Sequence, residues 1–111
     1  MIVVQVEHID SVNNIESILS YEEVNAYFIG PYDLSASLSC PGQFDHPNMV
    51  EAINKVREAG RSNKKPGGLH IIEPVPDELK KRIDEGFLFL AYSTDIRVLD
   101  STFRKGLEGI W

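Results

Sequence analysis

The chain opens on an alternating run. In Ile2-Val3-Val4-Gln5-Val6-Glu7, Ile2, Val4 and Val6 share one face while Val3, Gln5 and Glu7 share the other, because successive strand side chains point to opposite sides. The first face is apolar throughout, and the second turns polar toward its C-terminal end. A strand is predicted over 2–7. Asp10 or Ser11 then caps a helix to about Leu19, with Val12, Ile15, Ile18 and Leu19 as its apolar stripe. Ala26-Tyr27-Phe28-Ile29 is a short apolar strand that ends at the breaker pair Gly30-Pro31. Asp33–Leu38 reads as a short helical turn, and Pro41-Gly42 and Asp45-His46-Pro47 punctuate a loop. A longer helix starts near Pro47, where proline suits the first position, and carries Val50, Ile53 and Val56 three apart. Arg61–Gly68 reads as a helix exit and a solvated loop rather than a binding patch. Leu69–Ile72 is the third strand. Pro76-Asp77-Glu78 opens a helix to about Asp84, ended by Gly86. Phe87–Tyr92 is the fourth strand, apolar on both faces. Ser93, Thr94 or Asp95 caps a last helix that carries Ile96, Leu99 and Phe103.

The predicted order is β-α-β-α-β-α-β-α. Strands joined by crossover helices form a parallel sheet, so the fold class is α/β with four βα units in one domain over 1–111. Two architectures fit: an open doubly wound sheet, or half of a (β/α)8 TIM barrel. A whole barrel takes about 250 residues. Four strands alone cannot close a barrel. The first and fourth strands would be open edges, and the inner face would expose Val3 with two of Phe87, Phe89 and Ala91 or their alternates. Open edges and a bare apolar face invite pairing, so a homodimer or higher oligomer is expected rather than a stable monomer.

Composition narrows the function. With 42% apolar and 25% charged residues the chain is globular. Its formal charge of −6 argues against nucleic acid and against an anionic membrane surface as partners. No apolar run approaches the ~18 residues of a spanning helix, and Met1–Glu7 lacks the basic and apolar regions of a signal peptide. A single cysteine, Cys40, forbids a disulfide within the chain and favours a cytoplasmic location.

In parallel α/β folds the chemistry sits at the C-terminal ends of the strands. Gln5 and Glu7, the Gly30–Asp33 loop, His70 and Ser93–Asp95 lie there. A carboxylate at Glu7 must be solvated, paired or metal-bound; it could cap a helix or meet a basic neighbour. Asp33 could be a helix N-cap. Together the two carboxylates could also hold a hard divalent cation such as Mg²⁺ or Mn²⁺, with waters completing its sphere. Gly30-Pro31 leaves the N–H groups of Tyr32 and Asp33 open at a helix start, which suits a carboxylate or phosphate as well as a plain turn. His8, His46 and His70 lack zinc-ligand spacing and read as structural, and Cys40 has no evident histidine partner. GxGxxG, GxxxxGK[ST] and GxSxG motifs are absent.

Three segments carry a resemblance: Val4-Gln5-Val6-Glu7-His8, Phe28-Ile29-Gly30-Pro31-Tyr32-Asp33-Leu34-Ser35-Ala36-Ser37-Leu38, and Pro41-Gly42-Gln43-Phe44-Asp45-His46-Pro47. They resemble the HpcH/HpaI aldolase family, which includes 2-keto-3-deoxy acid aldolases and relatives of the citrate lyase β subunit. Gly68-Leu69-His70 and Asp95-Ile96-Arg97 fit in order and spacing, so the resemblance runs from residue 2 to about 107. It implies the second half of a (β/α)8 barrel, strands five to eight. It also implies a divalent metal (Mg²⁺, Mn²⁺ or Co²⁺) and cleavage of 4-hydroxy-2-keto acids to pyruvate and an aldehyde. By position, Glu7 and Asp33 match the metal carboxylates and Gln5 a polar contact near the keto acid. Gly30 and the N–H groups of Tyr32 and Asp33 match the loop holding the substrate carboxylate. The family's arginine and general-base histidine belong to the first half and have no counterpart here. Ser93 stands at a glycine-like turn, and Tyr92 is bulkier than usual. The resemblance therefore implies a half-enzyme, inactive or weakly active without a separate N-terminal half-barrel. The alternatives are a non-catalytic oligomeric half-barrel that binds metal or a small keto acid, and a purely structural interaction module.

Overall fold

The computed structural model describes residues 1–110. Its elements run β1 (Ile2–Val6), α1 (Ile9–Asn13), α2 (Ile15–Ser20), β2 (Val24–Ile29), α3 (Pro31–Ser37), α4 (Pro47–Ser62), β3 (Gly67–Ile71), α5 (Pro76–Asp84), β4 (Phe89–Tyr92) and α6 (Asp95–Leu107). The four strands are parallel and lie in sequence order, β1-β2-β3-β4. A doubly wound sheet reverses its strand order. Here every crossover steps the same way, and right-handed crossovers then put all the helices on one side. The sheet is a barrel segment rather than a doubly wound sheet.

Several boundaries move for local reasons. The helix expected over 10–19 breaks at Asn14, whose side-chain amide donates to Asp10 O at 2.8 Å and competes with the helical ladder. Its N-cap is His8, which accepts from the Asp10 N–H at 3.2 Å, not Asp10 or Ser11. Gly30 is the N-cap of α3, because Pro31 takes the first position, where no N–H is needed; Asp33 therefore sits in the first turn and is not the cap. Met49, Ala52, Ile53, Val56 and Ala59 form the buried stripe of α4, while Val50 is turned away, 46% exposed. Gly67 and Gly68 belong to β3, not to the preceding loop. Phe87 precedes β4 and is buried, whereas Leu88 is exposed.

The core lies between one face of the sheet and the helices. Val6, Ile29, Leu69 and Ile71 meet Leu19, Leu34, Met49 and Val56 there. The opposite, inner face is bare: Val3 and Phe89 are exposed and Phe28 is half-buried. Helix α6 buries no residue, and Ile96, Leu99 and Phe103 are 76%, 59% and 70% exposed. Its first turn is tied to the body by Arg97, which donates to both carboxylate oxygens of Glu73 at 2.8–3.1 Å and to Asp100 at 2.6 Å. The hydrogen bonds to Glu73 push the already high Arg97 pKa higher.

On the inner face Phe28 and Phe89 stack, with ring centroids 5.5 Å apart and planes at 23°. They meet across Gly68, where a Cβ would collide with the Phe89 ring. Gly68→Ala is expected to destabilise the chain by about 1–3 kcal/mol, as overpacking does, measured by urea unfolding. Adding Phe89→Ala should cost less than the sum of the single changes; strict additivity would show that Phe89 is not the obstacle.

Candidate functional site

Residues paired across parallel strands project to the same face of the sheet. Gln5, Phe28, Gly68 and Phe89 form one such row on the inner face. The ladder Val6–Ile29–Leu69 sets the next row, nearer the C-terminal rim: Glu7, Gly30, His70 and Ala91. The Gly30 N–H donates to Val6 O at 3.0 Å and carries the ladder up to that rim.

Glu7 is half-buried and leans across β2. Its Oε2 accepts from Gln5 Nε2 at 2.8 Å. A Cβ at Gly30 would lie 3.0 Å from that oxygen and 3.4 Å from Gln5 Nε2. The φ of Gly30 is −98°, open to any residue, so glycine is needed there for space. Glu7 caps no helix and meets no basic side chain among the described residues, which leaves carboxylate lone pairs free toward the rim. Gln5, Glu7 and Gly30 are thus in direct contact.

Asp33 lies three residues beyond Gly30, exposed in the first turn of α3 and without an ion pair or side-chain hydrogen bond among the described residues. An acidic group there is favoured by the helix dipole. The first bond of α3 runs from Leu34 N to Gly30 O at 3.1 Å, so the N–H groups of Tyr32 and Asp33 precede the ladder. The Tyr32 ring is exposed and meets Phe44 edge-on at 5.2 Å.

Two serines hold this corner, a role the sequence reading did not assign. Ser35 is fully buried; its hydroxyl donates to Tyr32 O at 2.7 Å and accepts from the Gly42 N–H at 2.9 Å, fixing the loop after α3. Ser37 Oγ donates to Leu34 O at 2.8 Å and accepts from the Ile9 N–H at 3.0 Å, joining α3 to the chain just after Glu7. The Ser-x-Ser spacing next to Asp33 was the available signal.

His70 lies on the Glu7 row. Its Nε2 is 3.3 Å from Ser93 O; a carbonyl only accepts, so in this contact Nε2 is the donor. Ser93 adopts φ 60°, matching the glycine-like turn expected there. His46 caps α4 by accepting from the Asn48 N–H at 3.2 Å, and Cys40 is buried. Among the described residues no three His, Cys, Asp or Glu side chains converge on one point. A cavity of about 240 Å³ lies between Ile53 of α4 and Arg82 of α5. Leu69, His70 and Ile71 of β3 border it, with Pro31 at the start of α3.

The model of the HpcH/HpaI aldolase/citrate lyase family matches residues 1–101. A 5-keto-4-deoxy-D-glucarate aldolase of Klebsiella pneumoniae is 34% identical over 104 residues, which are 94% of this chain and 40% of that protein. Among solved structures, an HpcH/HpaI aldolase from Desulfitobacterium hafniense superposes with a TM-score of 0.89 at 31% identity, over 99% of this chain and 42% of the other. An HpcH/HpaI aldolase/citrate lyase family protein from Burkholderia cenocepacia gives 0.88 at 28% identity, over 97% and 41%. The chain thus spans about two-fifths of the length of these relatives. With a matching family model, a shared α/β architecture and the Gln5–Glu7–Gly30 corner built into the parallel register, this chain belongs to the HpcH/HpaI aldolase/citrate lyase family.

Proposed function

We propose that the chain is half of a divalent-metal-dependent class II pyruvate aldolase, a carbon–carbon lyase for 4-hydroxy-2-keto acids, and supplies strands five to eight of its barrel. The observation that carries this reading is the Glu7 carboxylate, held by Gln5 in the recess that Gly30 leaves, with free oxygen toward the rim. Glu7 and Asp33 are all-oxygen donors suited to Mg²⁺, Mn²⁺ or Co²⁺, with waters completing the sphere. A bound cation of this kind supplies Lewis-acid polarisation of a keto carbonyl. Gln5 orients Glu7 and offers a polar contact to the keto acid. The N–H groups of Tyr32 and Asp33 receive its carboxylate, as helix starts do. Pyruvate is the keto acid this corner suits, and the name of the Klebsiella relative points to a keto-deoxy sugar acid as the larger substrate. The single, buried Cys40 is suited to a reducing cytoplasmic compartment.

A second reading, a non-catalytic oligomeric half-barrel that binds metal or keto acid, is favoured by the bare surfaces. Val3 and Phe89 on the inner face are partly open to solvent, and Ile96, Leu99 and Phe103 on α6 are largely so. Under either reading these faces are covered by a second copy or by a separate N-terminal half-barrel, because apolar patches of this kind mark interaction surfaces.

Three measurements test the proposal. Glu7→Gln and Asp33→Asn should each weaken Mn²⁺ binding about tenfold or more, since each removes an anionic ligand from a hard ion; titration calorimetry reads this, and unchanged affinity in both variants removes the site. The 111-residue chain alone should release little or no pyruvate from a 4-hydroxy-2-keto acid with Mg²⁺, Mn²⁺ or Co²⁺, because cleavage also needs a base on the 4-hydroxyl. Robust release would show that this chain carries the base. Sedimentation equilibrium at micromolar concentration should find species heavier than 12.5 kDa; a clean monomer with cooperative unfolding would overturn the assembly.

A further inference from the structure

We propose that the chain carries a second ligand site, a cationic cavity beside the N-terminal end of β3 that binds phosphate or a phosphate monoester. The cavity holds about 230 Å³, and Tyr27, Arg57, Arg61, Lys65 and Gly67 line it. It lies at the opposite end of β3 from His70 and the rim row, so it stands independently of the aldolase reading.

Its floor is a tyrosine without a partner. Tyr27 is 4% exposed. Its ring fills a slot between Gly60 of α4 and Gly67 of β3, where a Cβ on either glycine would collide with it. A tyrosine hydroxyl at the edge of an apolar body ordinarily finds a hydrogen-bond partner or solvent. Among the described residues the Tyr27 hydroxyl makes no hydrogen bond; it is not one of the sealed polar atoms and opens on the cavity. Two glycines therefore hold a hydrogen-bond donor in place with no described residue to receive it.

Around this donor the cations converge. Arg61 is exposed and makes no ion pair or side-chain hydrogen bond among the described residues. Lys64 turns the chain back at φ 55°, and the Lys65 N–H closes the turn on Gly60 O at 2.8 Å. The turn brings Lys65 alongside, where its Nζ meets Tyr21 O at 3.2 Å. Arg57 is held by Asn54 Oδ1 at 3.2 Å and Glu85 O at 2.5 Å, with its guanidinium 5.8 Å from the Phe87 ring centroid. Glu85 is the acidic residue at the border, and its carboxylate is bound to Arg82 at 2.9 Å. Burial pushes the Tyr27 hydroxyl pKa up, while Arg57 and Arg61 pull against it; the group stays protonated at neutral pH and can donate.

The net charge of −6 makes such a cluster unusual for this chain. A protonated phenol and three cations, with the bordering carboxylate already engaged, suit a compact dianion with several acceptor oxygens better than a monocarboxylate. The cavity also leaves room for a short organic arm beyond the phosphoryl group. The stretch from Arg61 to Gly68, solvated along most of its length, thus supplies two of the cations.

The test is calorimetric titration of the full chain with inorganic phosphate and, separately, glycerol 3-phosphate, at an ionic strength fixed with chloride. Saturable binding of at least one is expected. Tyr27→Phe should weaken it about tenfold, the loss of one hydrogen bond to a charged group, and Arg61→Gln by a similar factor. Arg61 is exposed, so its variant keeps the test open should Tyr27→Phe disturb packing; circular dichroism checks both. Tighter binding of glycerol 3-phosphate assigns the site to a phosphate monoester, and equal or tighter inorganic phosphate assigns it to the free ion. Absence of saturable binding by either, or wild-type affinity in both variants, would overturn the proposal.

Discussion

The parallel register between β1 and β2 decides where Glu7 can go. Val6 pairs with Ile29, and the Gly30 N–H continues the ladder to Val6 O at 3.0 Å. Side chains alternate along a strand, so a slip of one residue would turn Glu7 into the helix-covered core and bring Val6 out. Val6 is 1% exposed and packs with Ile29 and Leu34, which makes that slip expensive. The apolar core thus fixes the position of a polar group on the other face of the same strand. Ser37 adds a cross-link where it matters, from α3 to the backbone two residues after Glu7.

That economy has a consequence for the whole chain. Only one face of the sheet is sealed. The helices cover Val6, Ile29, Leu69 and Ile71, while Val3 and Phe89 on the other face stay more than a third exposed. In a closed barrel the inward layers pack on one another, and here each layer has half its partners. The Phe28–Phe89 stack is the local answer, two rings that bury part of each other across Gly68. Helix α6 is in the same position: Arg97 ties its first turn to Glu73, yet its apolar stripe faces away from the body. The ion pairs orient this helix without burying it. Exposed ion pairs contribute little stability, so α6 is oriented by charge and not by packing within the described residues.

Periodicity made the element order, the parallel sheet and the helix starts at Pro47 and Pro76 legible, because alternation, proline and helical spacing are local signals. Boundaries that depend on neighbours were not. The break at Asn14 needs a side chain choosing Asp10 O over solvent. In α4, Ile53 and Val56 are buried as the spacing predicts, but Met49 takes the place expected for Val50, since both are apolar and only the direction of the sheet decides between them. At the site, Gln5, Glu7, Gly30, Tyr32 and Asp33 could be singled out because polar residues at strand ends are conspicuous. The contact of Gln5 and Glu7 over Gly30 depends on register, which one strand cannot reveal. Ser35 and Ser37 read as ordinary helix residues until their partners, Gly42 and Ile9, are brought near by the fold.

Glycine is where sequence and structure part most instructively. Read locally, Gly30, Gly60, Gly67 and Gly68 suggest turns and breaks. None of the four needs a left-handed backbone; each stands where a side chain from elsewhere in the fold crosses it. Glu7 lies over Gly30, Phe89 over Gly68, and Tyr27 between Gly60 and Gly67. A missing Cβ lets a large or charged group lie flat against a strand or helix, where an alanine would force it outward. At the rim the group so held is a carboxylate with free lone pairs, and at the other end of β3 it is a phenol with an unused proton. The same steric device therefore sets an acceptor at one end of the sheet and a donor at the other, and the two ends should select ligands of opposite charge: a cation beside Glu7 and an anion beside Tyr27.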